Sequence, residues 1–121
     1  MSDERIRITA EMNRTAFQKK AVARMSAEAV LDDAVAFFSE RGYKSGKTGR
    51  PNQAFVMGVR EGVLPRVTAE ILVQANVGKG KVTMVTISGF GEQLSVHLAD
   101  YAAHLRAAGR VAKPSVPEDE D

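Results

Sequence analysis

The amino-acid sequence predicts an α+β domain built as a two-layer sandwich, with an antiparallel sheet of four to six strands and two helices on one face. Three consecutive segments with the pattern of strands, 54–60, 66–76 and 81–88, are joined by short turns and form a meander. Two amphipathic helical segments, 27–41 and 92–108, flank this meander in the chain. They provide the layer that an apolar sheet face requires.

The segment 66–76 gives the clearest strand signal. Five apolar residues alternate with polar ones, and only Leu72 interrupts the polar side. A period of two is typical of a strand with one buried and one exposed face. In 81–88 the apolar side chains change face after Met84, which predicts a bulge near Met84 or a strand covered on both sides.

The N-terminal region predicts a further strand or a hairpin. Residues 5–12 alternate strictly, with Ile6 and Ile8 on one side, which is typical of an edge strand. The segment 16–25 fits either a strand or a helix. Because Ser26 is a good N-cap for a helix that begins at the next residue, 16–25 is predicted as a strand.

The two helices have recognisable ends. Ser26 caps 27–41, and Gly42 follows it as a residue suited to the left-handed conformation; Gly109 is expected to end 92–108. The basic, glycine-bearing connection 43–52 is compatible with a short strand at 43–45. The prediction is a single domain over 1–110, followed by a disordered acidic tail over 111–121. This element order is similar to that of helix-grip and TATA-binding-protein folds, a similarity that implies no function.

Composition excludes several classes of function. The chain of 121 residues has no cysteine, which excludes disulfides, thiolate metal sites and cysteine nucleophiles. Aromatic residues make up 6%, which weighs against base stacking. The sequence has no apolar signal segment and no apolar run of the roughly 18 residues that a membrane span needs, so a cytoplasmic location is expected.

The charge is unevenly distributed. The net charge is +2, and the last four residues, 118–121, are all acidic, so the rest of the chain carries +6. Two interpretations follow: a surface for an anionic partner, or an ordinary solvated surface with a solvated terminus.

One short stretch resembles the end of a phosphate-binding P-loop. Ser45 to Thr48 reads Ser-Gly-Lys-Thr, but Arg41 stands where that motif requires a glycine, and the stretch follows a helix. A nucleotide P-loop is therefore rejected. A looser contact with phosphate or nucleic acid is retained as a hypothesis. Its residues are Lys44, Lys47, Arg50, Lys79 and Lys81.

A second group of residues is proposed as a ligand or partner surface. His97 and His104 lie seven residues apart on the second helix with Tyr101 between them, which fits either a metal pair or the border of the apolar stripe. Metal ligands on one helix are usually three or four residues apart, so no metal or cofactor is predicted. Val63 and Leu64 form an apolar turn tip that either inserts into a partner or folds over its own core.

No residue pattern forms a catalytic site, and an enzyme is the less favoured class. The sequence predicts a non-catalytic binding or interaction protein, with a small apolar ligand in a cleft between sheet and helices or a homo-oligomer interface. The alternative is a nucleic-acid-associated domain that uses the basic loops 44–50 and 79–81. Steep salt dependence of binding would support the alternative.

Overall fold

The structure, a computed structural model, describes residues 2–79 and 82–112 of the chain. This part forms three helices and five strands. The helices are α1 (Ser2–Arg14), α2 (Ala27–Glu40) and α3 (Glu92–Ala112). The strands are β1 (Phe17–Ala23), β2 (Lys44–Lys47), β3 (Gln53–Met57), β4 (Thr68–Val77) and β5 (Val82–Gly89).

The strands form one open antiparallel sheet in the order β1-β5-β4-β3-β2. The α+β class, the antiparallel sheet and the meander are therefore confirmed, as is the strand within 16–25. The segment that is compatible with a short strand at 43–45 contains β2, which begins one residue later and ends two residues later. Strand β3 ends at Met57 rather than at residue 60, and the chain from Gly58 to Val67 forms an irregular connection. Strands β1 and β2 are the two edges of the sheet.

Alternate strand residues supply one side of the core. The register places Val85 between Ala21 and Val73, and it places Ile71 opposite Ile87. These residues are buried together with the apolar residues of the helices in one cluster. Helix α2 contacts β2, β3 and β4, whereas α3 contacts β1 and β5.

Helix α2 begins where the sequence predicts and ends one residue earlier, with Arg41 as its C-cap. The Ser26 side chain accepts a hydrogen bond from the backbone N–H of Ala29, so it satisfies one of the unpaired donors of the first turn. Gly42, just beyond the helix, has a φ of 91°, a conformation that costs glycine little and other residues more. Phe38, the bulkiest side chain that α2 contributes to the core, is fully buried.

The prediction of a strand over 5–12 is wrong, because these residues belong to α1. The two apolar residues that α1 half-buries against the core, Ile8 and Met12, are four apart, and a spacing of four satisfies a helix as well as a period of two. Ile6, which the strand pattern placed beside them, is 64% exposed. Acidic residues in the first turn and Arg14 in the last complement the helix dipole.

Helix α3 is longer than predicted, since it continues through Gly109 to Ala112. The rest of the predicted acidic tail, 113–121, lies outside the described residues. The expected irregularity near Met84 is found on the partner strand: the register shifts between Gln74 and Val77 of β4, while β5 alternates without a break. Asn76, inside the shifted segment, has a positive φ of 57°.

Candidate functional site

The face of the sheet turned away from the core remains accessible, and we call it the outer face. All of its side chains are exposed or half-buried. By register and alternation the outer face comprises Gln18, Lys20, Val22, Lys44, Gln53, Phe55, Met57, Thr68, Glu70, Leu72, Gln74, Val82, Met84, Thr86 and Ser88.

Five apolar residues cross the outer face as a continuous diagonal, which we call the apolar band: Val22, Met84, Leu72, Phe55 and Met57. Val22 lies opposite Met84 in the register. Met84 on β5 and Leu72 on β4 are diagonal neighbours, and so are Leu72 and Phe55 on β3. Met57 is the next residue of β3 on the same side as Phe55. Large side chains bridge these distances. The band is about 25 Å long, since it crosses three strand spacings and shifts by six residues along the strands.

The apolar band is accessible to a partner, although neighbours cover more than half of its surface. Val22 is 42% exposed and Leu72 is 39% exposed, while Phe55, Met57 and Met84 are half-buried. Apolar side chains that are clustered on one face mark interaction sites more often than apolar side chains scattered singly. The arrangement therefore makes the outer face the strongest candidate for a binding surface.

Cations stand at both ends of the apolar band. Lys20 and Arg24 flank Val22 at the β1 end, and Lys44 and Arg66 flank Met57 at the other end. All four are exposed, and within the described residues none of the four forms an ion pair. The outer face holds one carboxylate, Glu70, which accepts a hydrogen bond from the Gln53 amide.

The two cations at the Met57 end line a groove of about 270 Å³, which we call the Lys44–Arg66 groove. Lys44 is the register partner of Met57 on β2, and an Arg66 guanidinium nitrogen (Nη1) lies 3.7 Å from the Met57 sulfur. The base of the groove is tightly packed at Gly58. A Cβ at that position would lie 2.8 Å from the Tyr43 ring and 2.7 Å from Val67, so only glycine fits without displacement.

The structure separates the basic residues of the predicted nucleic-acid surface. Lys47 is bound by two carboxylates of α2, at 3.0 Å from Glu28 and 2.8 Å from Asp32. Hydrogen bonding to those carboxylates raises the Lys47 pKa, so the side chain stays charged but its charge is balanced. Arg50 and Lys79 are exposed at the end of the sheet opposite Lys44, and Lys81 lies outside the described residues.

A second groove, of about 380 Å³, lies between α2 and the β2–β3 turn. Lys47, Arg50 and Glu28 line it, so cationic and anionic side chains alternate along its wall. The balance of charge makes this groove a poorer anion site than the Lys44–Arg66 groove. The predicted candidates Lys44 and Arg50 are thus at separate sites.

His97, Tyr101 and His104 lie along the seam between α2 and α3, and each contacts a side chain of α2 or of the connection from α2 to β2. The His97 ring contacts the Tyr43 ring, with 5.3 Å between centroids, and its Nδ1 accepts a hydrogen bond from Arg41 at 3.0 Å. Arg41 also binds Asp100, at 2.9 Å. His104 Nε2 lies 3.0 Å from Asp33.

Tyr101 is a buried structural residue. Its hydroxyl donates to Asp33 at 3.2 Å and also lies 3.4 Å from the Val30 carbonyl oxygen. Burial raises the Tyr101 pKa well above its ordinary value, and the nearby Asp33 carboxylate raises it further. His97 and His104 thus face different partners, and within 2–79 and 82–112 no three metal-ligating side chains come together.

The apolar turn tip divides into a buried and an exposed residue. Leu64 is 1% exposed and belongs to the core, so it is not part of an accessible surface, whereas Val63 is 42% exposed. The neighbouring Glu61 carboxylate accepts the backbone N–H of Gln93 at 2.9 Å and of Leu94 at 3.2 Å. Glu61 therefore caps α3 and holds this turn against the helix, a role that no local sequence signal indicates.

The space between the sheet and α3 is filled by side chains. Leu94, Leu98, Tyr101 and Leu105 are all fully buried against the core. A ligand in that space would have to displace them, which disfavours the predicted apolar cleft.

No helix in the described ranges combines the length and apolarity that crossing a membrane requires. Comparison with protein-family models, with curated proteins and with solved structures finds no match to this chain. Any function must therefore be argued from the site itself.

Proposed function

We propose that this chain is a non-catalytic protein-interaction domain, and that its outer face binds an acidic partner protein. The observation that carries the proposal is the apolar band with cations at both ends. The band offers apolar area, and the four cations offer charge that no described carboxylate neutralises. Together they fit a partner with apolar anchors between acidic residues.

A helix is the partner structure that this surface fits best. An extended segment lying flat on a sheet face would leave its backbone N–H and C=O groups facing side chains, whereas a helix satisfies them internally. A band of about 25 Å matches an amphipathic helix of about 16 residues. Acidic residues in the terminal turns of such a helix would lie near Lys20 and Arg24 at one end and near Lys44 and Arg66 at the other.

Charge argues against a second copy of the chain as the occupant. Two outer faces packed together would bring like charges from Lys20, Arg24, Lys44 and Arg66 close to one another. The single carboxylate of the face, Glu70, cannot balance the charge of these cations. Opposing like charges weaken association, so a homo-oligomer through this face is the less favoured interpretation.

Charge and composition also argue against nucleic acid. A phosphate backbone that followed the apolar band would pass Glu70, and the face offers Phe55 as its one aromatic side chain for stacking. Of the predicted basic residues outside the face, Arg50 and Lys79 lie at the end of the sheet opposite Lys44, and Lys47 is neutralised by Glu28 and Asp32.

The test uses a synthetic, fluorescein-labelled peptide of about 16 residues, with leucines in a stripe at helical spacing and glutamates in both terminal turns. We expect saturable binding by fluorescence anisotropy, and amide chemical-shift changes concentrated at the apolar band. Leu72→Gln removes a side chain that is 39% exposed. If complete burial of a leucine contributes about 1.5–3 kcal/mol, the exposed fraction contributes about 1 kcal/mol, or a factor of about five in Kd.

Val96→Gln is the matched control, because Val96 is 58% exposed but lies on α3. The control should leave Kd unchanged, and both variants should be checked for folding by circular dichroism. Unchanged binding by Leu72→Gln would refute the proposal, as would shifts that map to another face. Tighter binding of an oligo-dT strand on the same face would favour nucleic acid. A native dimer that Leu72→Gln dissociates would favour a second copy.

A further inference from the structure

The two ends of the apolar band differ in shape, although both carry cations. Lys20 and Arg24 project from an edge strand and the residue beyond it. Lys44 and Arg66 instead line a groove and stand on either side of one side chain, Met57. A groove with two cations around an apolar floor can hold a specific group, whereas isolated cations on an edge provide general attraction.

We propose that the Lys44–Arg66 groove is a carboxylate-binding subsite, which receives an acidic side chain of the partner and so fixes the direction of the partner along the band. This inference rests on the proposed function above. The partner's acidic residue lies immediately next to the apolar side chain that contacts Met57. The opposite end of the band contributes attraction without selecting one direction.

Three features of the groove support this assignment. Lys44 and Arg66 form no ion pair within the described residues, so their charge is available. The Arg66 guanidinium is already placed against Met57, which leaves less side-chain freedom to lose on binding. The base of the groove is closely packed, because Gly58 lies directly against Tyr43 and Val67.

The groove is small and combines cations with apolar walls. Its volume of about 270 Å³ lies just below the range of sites for drug-sized ligands. Val59, which is 79% exposed, and Met57 supply apolar walls beside the cations. A carboxylate carried on methylene groups, as in a glutamate side chain, places its charge at the cations and its stem on these walls.

The test compares two synthetic peptides with the same leucine stripe. One carries its glutamates only in the first turn, and the other carries them only in the last turn. Each is titrated against the full chain, against Lys44→Gln/Arg66→Gln, and against the matched control Lys20→Gln/Arg24→Gln. Because each peptide should place its glutamate turn in the groove, the two peptides should lie in opposite directions, and we expect Lys44→Gln/Arg66→Gln to weaken both about five- to tenfold and to reduce their salt dependence. The control should weaken both peptides equally and by less.

A nitroxide label at the glutamate end supplies an independent readout of direction. For both peptides it should broaden the amide resonances of Gly58, Val59 and Arg66 more than those of β1. Charge reversal, Lys44→Glu/Arg66→Glu, should restore binding to a peptide with lysines in place of the glutamates.

The outcomes separate the two proposals. If Leu72→Gln weakens binding but Lys44→Gln/Arg66→Gln and its control act alike, the subsite is refuted and the interaction domain stands. If the label broadens residues at the β1 end instead, the assigned direction is wrong. If neither peptide binds the unmodified chain, both proposals are refuted.

Discussion

The replacement Gly89→Ala tests the close packing of β1, β5 and β4, and we expect it to lower the free energy of unfolding by about 3 kcal/mol. Gly89 pairs with Phe17 on one side and with Ala69 on the other. A Cβ at this position would lie 2.5 Å from the Ala69 Cβ and 2.7 Å from the Thr68 carbonyl oxygen. Non-bonded carbon atoms normally approach to about 3.5–4.0 Å, so the overlap is about 1 Å.

The overlap at Gly89 cannot be relieved by a side-chain rotation, because two of the three nearest atoms are backbone atoms of β4. The strands must separate, and the hydrogen bond from the Phe90 N–H to the Thr68 carbonyl, 3.2 Å long, is strained as well. Overpacking of this kind costs about 1–3 kcal/mol, and contact with backbone places this case at the upper end.

Urea unfolding monitored by far-UV circular dichroism measures the change. Gly49→Ala is the matched control. No atom lies within 4 Å of the Cβ position of Gly49, and its φ is not positive. The free energy of unfolding of this variant should therefore stay within about 0.5 kcal/mol of that of the unmodified chain. A midpoint for Gly89→Ala that coincides with that of Gly49→Ala would refute the close approach of β5 and β4 at this point.

Two further perturbations probe the supports of the binding surface. Glu61→Ala removes the cap of α3 and should lower the free energy of unfolding by about 1 kcal/mol. The control Glu40→Ala, at an exposed position, should change it little. Equal urea midpoints for the two variants would contradict the capping role. The raised Tyr101 pKa means that the native phenol keeps its proton above pH 10 while the unfolded chain loses it. Stability should therefore be fully present below about pH 10 and fall above it by up to about 1.4 kcal/mol per pH unit from this tyrosine. Tyr101→Phe should remove the loss of stability above about pH 10 that comes from Tyr101. The smaller loss from Tyr43, whose pKa is raised chiefly by burial, should remain. Identical profiles of melting temperature against alkaline pH for Tyr101→Phe and the unmodified chain would contradict this.

The fold was predictable wherever a local signal has one structural meaning. Ser26 and Gly42 mark the ends of α2 by capping chemistry, and the alternation in β4 requires one buried face. The prediction failed at α1, since Ile8 and Met12 satisfy a period of two and a helical spacing equally. Only the contacts of these residues with the rest of the core decide between the two patterns.

The candidate site was less predictable than the fold. Strand β3 is apolar on both sides, and its sequence alone does not indicate that Ala54 and Val56 are buried while Phe55 and Met57 face outward. The apolar band joins residues of four strands, so it exists only once the register is known. The sequence signal for this band was Leu72, the one residue that interrupts the polar side of β4.

Strand order has a consequence for how the chain is made. Strand β1 is synthesised before the other strands, yet its only partner in the sheet is β5, the last. During translation β1 must therefore remain unpaired while β2, β3 and β4 emerge, and its closure onto β5 is a long-range, slow step. Lys19 and Lys20 lie in the middle of β1, where charge discourages premature pairing with another nascent chain. We therefore expect the lysine pair to protect β1 from intermolecular pairing until β5 has been synthesised.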